Sequence, residues 1–198
     1  MRGDLEREIQ RFEKLVGIRP IQGGRHPGEG TWNALLGLGH GQYLEIIAPD
    51  LSQSHLPQPR WFGLDSLVSP HLITWAAKVT ALDHLAASAR DAGVSLGEIR
   101  AGRCELSDGR VLSWRLTYPE MRGGNGIVPF LIDWDDSPHP SETAPGGARL
   151  VGLRAEHPAP DAIIDQLRRL GLELQVTFGP TPVLIATLET PRGTVDLR

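Results

Sequence analysis

The 198-residue chain has one cysteine, Cys104. That excludes an internal disulfide framework and any metal site built from several thiolates. Lysine is scarce as well: Lys14 and Lys78 are the only two among 20 basic side chains, and the arginines that supply the rest do not cluster. With 24 acidic residues the formal charge is −4. No basic stripe exists to follow a phosphate backbone, so nucleic acid is not an expected partner. No apolar run approaches the roughly 18 residues of a membrane-spanning helix. The acidic, amphipathic N-terminus MRGDLEREIQRFEKLV contains no apolar signal core. The expectation is a cytoplasmic protein with no membrane partner. The HExxH pattern of familiar metalloproteases is missing too.

What the chain does have is turns. Glycine (23) and proline (16) make up about a fifth of it, below the range that marks low complexity. Three segments carry helical periodicity. Leu5, Ile9, Phe12 and Val16 share one face, with Asp4 as the expected N-cap and Gly17 as the stop. The second helix opens at Thr80-Ala81-Leu82-Asp83 in a pattern like a capping box. It carries Leu82, Leu85, Ala86 and Ala89 and ends at Gly93. The third runs from Pro160 to Gly171 with Ile163, Ile164, Leu167 and Leu170. Strands are expected over 32–38, 42–48, 72–79, 99–105, 111–118, 128–134, 149–155, 172–177, 183–188 and 194–197. Gly39-His40-Gly41 and Asp108-Gly109 read as hairpin turns. The Pro-, Ser- and Gly-rich stretches 51–69 and 135–147 read as linkers.

These elements repeat. Each helix ends in a glycine and runs into a strand (KLVGIRPIQGG, RDAGVSLGEIRAG, RRLGLELQVTFG), and two more strands follow, the last bearing an acid: Glu45, Asp133 or Asp196. A further strand precedes the second and third helices. The unit is strand–helix–strand–strand–strand, and the expected organisation is one domain of three units, about 1–50, 69–137 and 148–198. The first unit lacks its opening strand, as though about ten residues had been cut away.

A tandem βαβββ arrangement, together with Gly23-Gly24-Arg25-His26-Pro27-Gly28-Glu29-Gly30-Thr31-Trp32-Asn33, Tyr43-Leu44-Glu45-Ile46 and Pro129-Phe130-Leu131-Ile132-Asp133-Trp134, resembles the glyoxalase-like branch of the vicinal-oxygen-chelate superfamily. The resemblance implies an α+β fold in which tandem units form an open curved-sheet cup, with the third unit packed alongside. It also implies a divalent metal (Mg, Mn, Fe or Zn) held by His, Glu or Gln on the first and last strands of paired units. Here the first strand of the first unit is missing, and the second unit's opening strand carries Thr74 and Trp75 where a ligand would project. That leaves Glu45 and Asp133 as metal ligands. Two carboxylates without imidazole suit Mg²⁺ or Mn²⁺ better than Zn²⁺, and the metal is expected to be weakly held or lost. Two functions stay open: a metal-dependent lyase, isomerase or dioxygenase-type enzyme acting on a small molecule, or a non-catalytic cup that sequesters an apolar ligand. A homodimer through the edge left by the missing strand is a further expectation.

Individual residues admit two readings each. Glu45, between Tyr43 and Ile47 on one strand face, is a metal ligand or base, or else an acid paired with an arginine. Asp133 is a ligand, or the partner of Arg115 on the neighbouring strand. His26, in what reads as a Gly23–Gly30 loop, is a proton shuttle at the mouth of the cup or a loop histidine bonded to backbone. That loop lacks the order of a phosphate cradle and no helix follows it. Thr31 and Asn33 are expected to tie it together, and Asn33, Tyr43, Trp75 and Trp114 to line the pocket. His84 reads as a helix-surface residue, His157 as a strand-end cap and Cys104 as a small core residue.

Overall fold

The computed structural model of the chain describes residues 5–53, 56, 58–106, 109–118 and 126–198. Helix α1 (Leu5–Val16) buries Leu5, Ile9 and Val16, with Phe12 half-buried beside them. Its expected cap, Asp4, lies outside the described residues, as does Asp108 of the expected second hairpin turn. The helix closes at Gly17, whose φ of +80° and N–H bond to the Glu13 carbonyl (2.8 Å) make a left-handed C-terminus. Helix α2 (Leu82–Asp91) starts differently from the sequence expectation. Ala81 occupies the N-cap position in a left-handed conformation and no side chain caps it, so the capping box does not form. Helix α3 (Pro160–Arg169) begins on its proline, as its sequence requires, and buries Ile163 and Leu167.

Seven strands form one strongly curled sheet: β1 (Ile21–His26), β2 (Thr31–Gly39), β3 (Gln42–Pro49), β4 (Ala76–Lys78), β5 (Ile99–Glu105), β6 (Val111–Thr117) and β7 (Phe130–Asp133). Their order is β3-β2-β1-β5-β6-β7-β4. The two halves meet where β1 pairs antiparallel with β5 through a single position, Arg25 opposite Glu105. Strand β4 runs parallel to β7, so the second unit closes its helical crossover within its own half. β4 is shorter than the expected 72–79 segment. Strand β7 is only four residues long and offers β4 three partners, and residues 72–75 turn instead toward the third unit.

Strand β2 is buried along nearly its whole length, and for that reason its sequence TWNALLGLG does not alternate. Asn33 and Leu35 face the hollow of the sheet, while Ala34, Leu36 and Leu38 face α1 and the third unit. The third unit is a separate four-stranded sheet of β8 (Arg149–His157), β9 (Gln175–Phe178), β10 (Val183–Thr190) and β11 (Gly193–Leu197) in the order β11-β10-β8-β9. It repeats the element order of the second unit but not its strand order. Its opening strand lies between the second and third strands instead of beside the fourth. Leu188 and Ala148 lock it to Leu36, Leu38 and Val16. Among the described residues no helix is long and apolar enough to cross a membrane.

Candidate binding cup

The hollow of the curled sheet is a cavity of about 60 Å³ to which both halves contribute. Period two decides which side chains enter it. From β3 these are Tyr43, Glu45 and Ile47; from β6, Leu112, Trp114 and Leu116; from β7 and the residue after it, Phe130, Ile132 and Trp134. Gly102 stands opposite Trp114 on β5, and any Cβ there would strike the indole, so the glycine lets Trp114 lie flat along the floor.

The stretch expected as a Gly23–Gly30 loop is in fact the end of β1 followed by a tight turn, and it builds the polar wall. Gln22 pairs with Ala34 and Arg25 with Trp32, so Gly23 and Gly24 both stand opposite Asn33 in a β-bulge. A Cβ on Gly23 would collide with the Asn33 carboxamide. One on Gly24 would collide with the Cys104 sulfur and the Glu105 carbonyl across the seam. The space they leave lets the Gly24 N–H donate to Asn33 Oδ1 (3.0 Å), while Asn33 Nδ2 donates to Glu45 Oε1 (2.8 Å) and lies 3.4 Å from His26 Nε2. His26 Nδ1 is 2.8 Å from the Thr31 hydroxyl. The bulge thus swings His26 inward: it is only 3% exposed, not at the rim where a loop residue would sit.

Each of the expected linkers closes one side of the cup. Arg60 anchors the first by donating to the Gly30 carbonyl (2.7 Å) and pairing with Asp65 (2.6 Å). Asp50, bonded by Arg25, Ser52 and Gln53, anchors its base. Burial pushes the Asp50 carboxyl up, but those donors outweigh it and hold the group well below the usual carboxylate range. Trp61 then stacks on His26 (centroids 6.1 Å apart), while Trp114 meets the same imidazole edge-on at 5.8 Å. Phe62 follows with φ +55° and packs against Trp61 and Phe130. A bulky residue in the left-handed region is strained and persists only where its surroundings demand it. On the opposite side His139 packs against Tyr43 and Trp134, and Pro140 joins the lining.

The electrostatics of the wall are one-sided. Burial holds the His26 imidazole below its ordinary value, with Glu45 opposing. Burial, then Glu45, raises the Tyr43 phenol, and the Cys104 thiol is pushed up to about 11 by the same two causes. All three stay neutral near pH 7. Among the described residues three buried donors have no partner: the indole N–H groups of Trp61 and Trp114 in the cup, and that of Trp32, which packs with Leu5 and Ile9 of α1 on the other face of β2.

Of the expected site residues, the fold brings Glu45, His26, Asn33, Tyr43 and Trp114 together. Two are elsewhere. Asp133 lies between the inward Ile132 and Trp134, so it points to the helix-covered face, where its carboxylate accepts from the Asp135 N–H (3.1 Å). Nor does it pair with Arg115: the two stand opposite each other in register, but Arg115 reaches Asp83 (2.8 Å) and Asp135 (4.0 Å). Trp75 packs into the core under α3 and donates its N–H to the Ile127 carbonyl (2.7 Å). His157 accepts from the Ala159 N–H at 3.0 Å, a local cap as expected, and His84 is exposed on α2. The residues not anticipated are Trp61, Phe62 and His139. Two adjacent aromatics in a Pro/Ser/Gly-rich stretch were their signal, because such side chains are rarely left in water.

A family model described as the glyoxalase-like domain matches residues 1–171. The chain belongs to the glyoxalase-like domain family. The matched span contains the whole cup and ends at the close of α3. A crystal structure of a hypothetical protein from Staphylococcus aureus superposes with a TM-score of 0.59 at 11% identity, covering 90% of this chain and 75% of that one; it shows the shared fold. No curated protein matches.

Metal ligation in this glyoxalase-like cup fails a test of its donors. Among the described residues no three His, Cys, Asp or Glu side chains group closely enough to hold an ion. Glu45 is the only carboxylate among the described residues of the lining, both ring nitrogens of His26 lie against Thr31 and Asn33, and Asp133 is on the far face. The residues present do not fit the metal that the resemblance implies.

Proposed function

We propose that the chain binds a small organic molecule in its aromatic cup and that this binding needs no divalent ion. The observation that carries the reading is the lining itself. Tyr43, Trp61, Phe62, Trp114, Phe130 and Trp134 surround one hydrogen-bonded polar wall of His26, Asn33 and Glu45. Apolar walls with a few convergent polar groups are the usual make-up of ligand sites. The cavity, about 60 Å³, is small beside the roughly 300 Å³ at which drug-sized sites begin. It is also below the roughly 150 Å³ of an engineered apolar cavity that holds benzene, so a single-ring ligand enters by displacing the Trp61–Phe62 strap.

Against a metal-dependent lyase, isomerase or dioxygenase stands the lack, among the described residues, of a cluster of three metal-ligating side chains. Tryptophan fluorescence separates the two readings. Titrated with benzyl alcohol in the presence of EDTA, the protein should respond saturably, and Mg²⁺ or Mn²⁺ should not tighten binding. A response that requires the divalent ion would favour the enzyme and overturn the metal-free reading.

A further inference from the structure

The cup's polarity narrows the ligand further. Among the described residues that line it, Glu45 is the only carboxylate, and no lysine or arginine is present. Its Oε1 accepts from Asn33, and among the described residues no cation pairs with the carboxylate. The neighbours that could supply positive charge do not. His26 is buried, wedged between Trp61 and Trp114 and held in its neutral form. The rest of the wall joins aliphatic side chains such as Leu35, Ile47, Leu112, Leu116 and Ile132 to the aromatic rings. Aromatic faces carry the negative part of the ring quadrupole, so they attract cations and disfavour anions. Carboxylate and rings therefore bias the cup in one direction.

We infer that the cup selects a ligand with a positively charged amine, its ammonium group against Glu45 and its apolar body between Trp61, Trp114 and Trp134. This rests on the proposed binding function and deepens it. An uncharged ligand of the same shape would bury the same rings but leave Glu45 without a counter-charge at the mouth. An anionic one would meet both the carboxylate and the π-faces.

The test is a matched set of probes, benzylamine, benzyl alcohol and benzoate, titrated against tryptophan fluorescence in EDTA at pH 7. Benzylamine should bind more tightly than benzyl alcohol by about tenfold, a ratio equal to about 1.4 kcal/mol, with benzoate weakest. The ratio should shrink as salt is raised and fall to about one in Glu45→Gln, a nearly isosteric change at a solvent-exposed position. Equal affinity of amine and alcohol in the wild-type protein, or tighter binding of benzoate, overturns the charge selection while leaving the cup a binding site. Failure of all three probes to bind overturns the binding function and this inference with it. A preference that survives unchanged in Glu45→Gln overturns the role of Glu45. The wild-type comparison of amine with alcohol stands even if that variant does not fold.

Discussion

Replacing Asn33 with alanine removes the side chain that joins the bulge of β1 to the acid of β3. Three contacts disappear: the acceptor for the buried Gly24 N–H (3.0 Å), the donor to Glu45 (2.8 Å) and the weaker approach to His26 (3.4 Å). A buried N–H left without an acceptor costs about 1–3 kcal/mol. The bond to Glu45 adds about 0.5 kcal/mol, because that carboxylate is exposed and its bond correspondingly screened. The expected loss is about 1.5–3.5 kcal/mol. In urea, with a slope of about 2–3 kcal/mol per M for a chain of this size, the unfolding midpoint should fall by about 1 M. Asn33→Asp separates the parts. It keeps an oxygen for the Gly24 N–H but sets a second carboxylate against Glu45. Its deficit at pH 7 should shrink as the pH falls toward about 5 and one of the pair takes up a proton. A loss below about 0.5 kcal/mol in Asn33→Ala would show that the polar wall is not organised around this residue.

Gly24→Ala should cost about 1–3 kcal/mol through overpacking, because its Cβ meets Cys104 and the Glu105 carbonyl at the single pairing that joins the two halves of the sheet; urea unfolding measures it. His26→Gln should flatten part of the stability–pH curve between about pH 5 and 8. The folded imidazole is held below its ordinary value, so the stability it confers is present above about pH 6.5 and is lost as the pH falls, when the unfolded chain binds a proton that the folded one does not. His139, lowered by burial and Lys78, keeps the remaining slope, and a variant curve parallel to the wild type would contradict the argument. Arg60→Met should release the strap from Gly30 and Asp65, speeding protease cleavage within residues 50–66 while the urea midpoint moves little; unchanged cleavage would show that Arg60 does not hold it.

Helices and long strands were legible because their signals are local. The apolar spacing of Leu5–Val16, the glycine stops and the pattern of 99–105 fix these elements without knowledge of their neighbours. The same alternation places Tyr43, Glu45 and Ile47 on one face, and the structure puts all three in the cup. Asp133 was misjudged by one position, and a shift of one position in a strand reverses its face. Matching Tyr43-Leu44-Glu45-Ile46-Ile47 to Phe130-Leu131-Ile132-Asp133-Trp134 by their aromatic starts puts Ile132, not Asp133, beside Glu45, as the structure has it. The bulge was not legible, because it depends on β1 meeting both Asn33 and Cys104, partners far along the chain. Nor was the strap, whose closure rests on Arg60 reaching back thirty residues to Gly30. The unusual strand order of the third unit leaves no trace in element order alone.

The five tryptophans offer the most direct test of the cup as the binding site. Each gives one indole N–H signal in a ¹H–¹⁵N spectrum, and single Trp→Phe variants assign them. On titration with benzylamine or benzyl alcohol in EDTA, the Trp61 and Trp114 signals should move saturably, since their N–H groups are buried beside the cavity without partners. The Trp75 signal should stay in place, its N–H being held by the Ile127 carbonyl in the other core. Movement of Trp75 with Trp61 and Trp114 unchanged would put the ligand elsewhere and contradict the account.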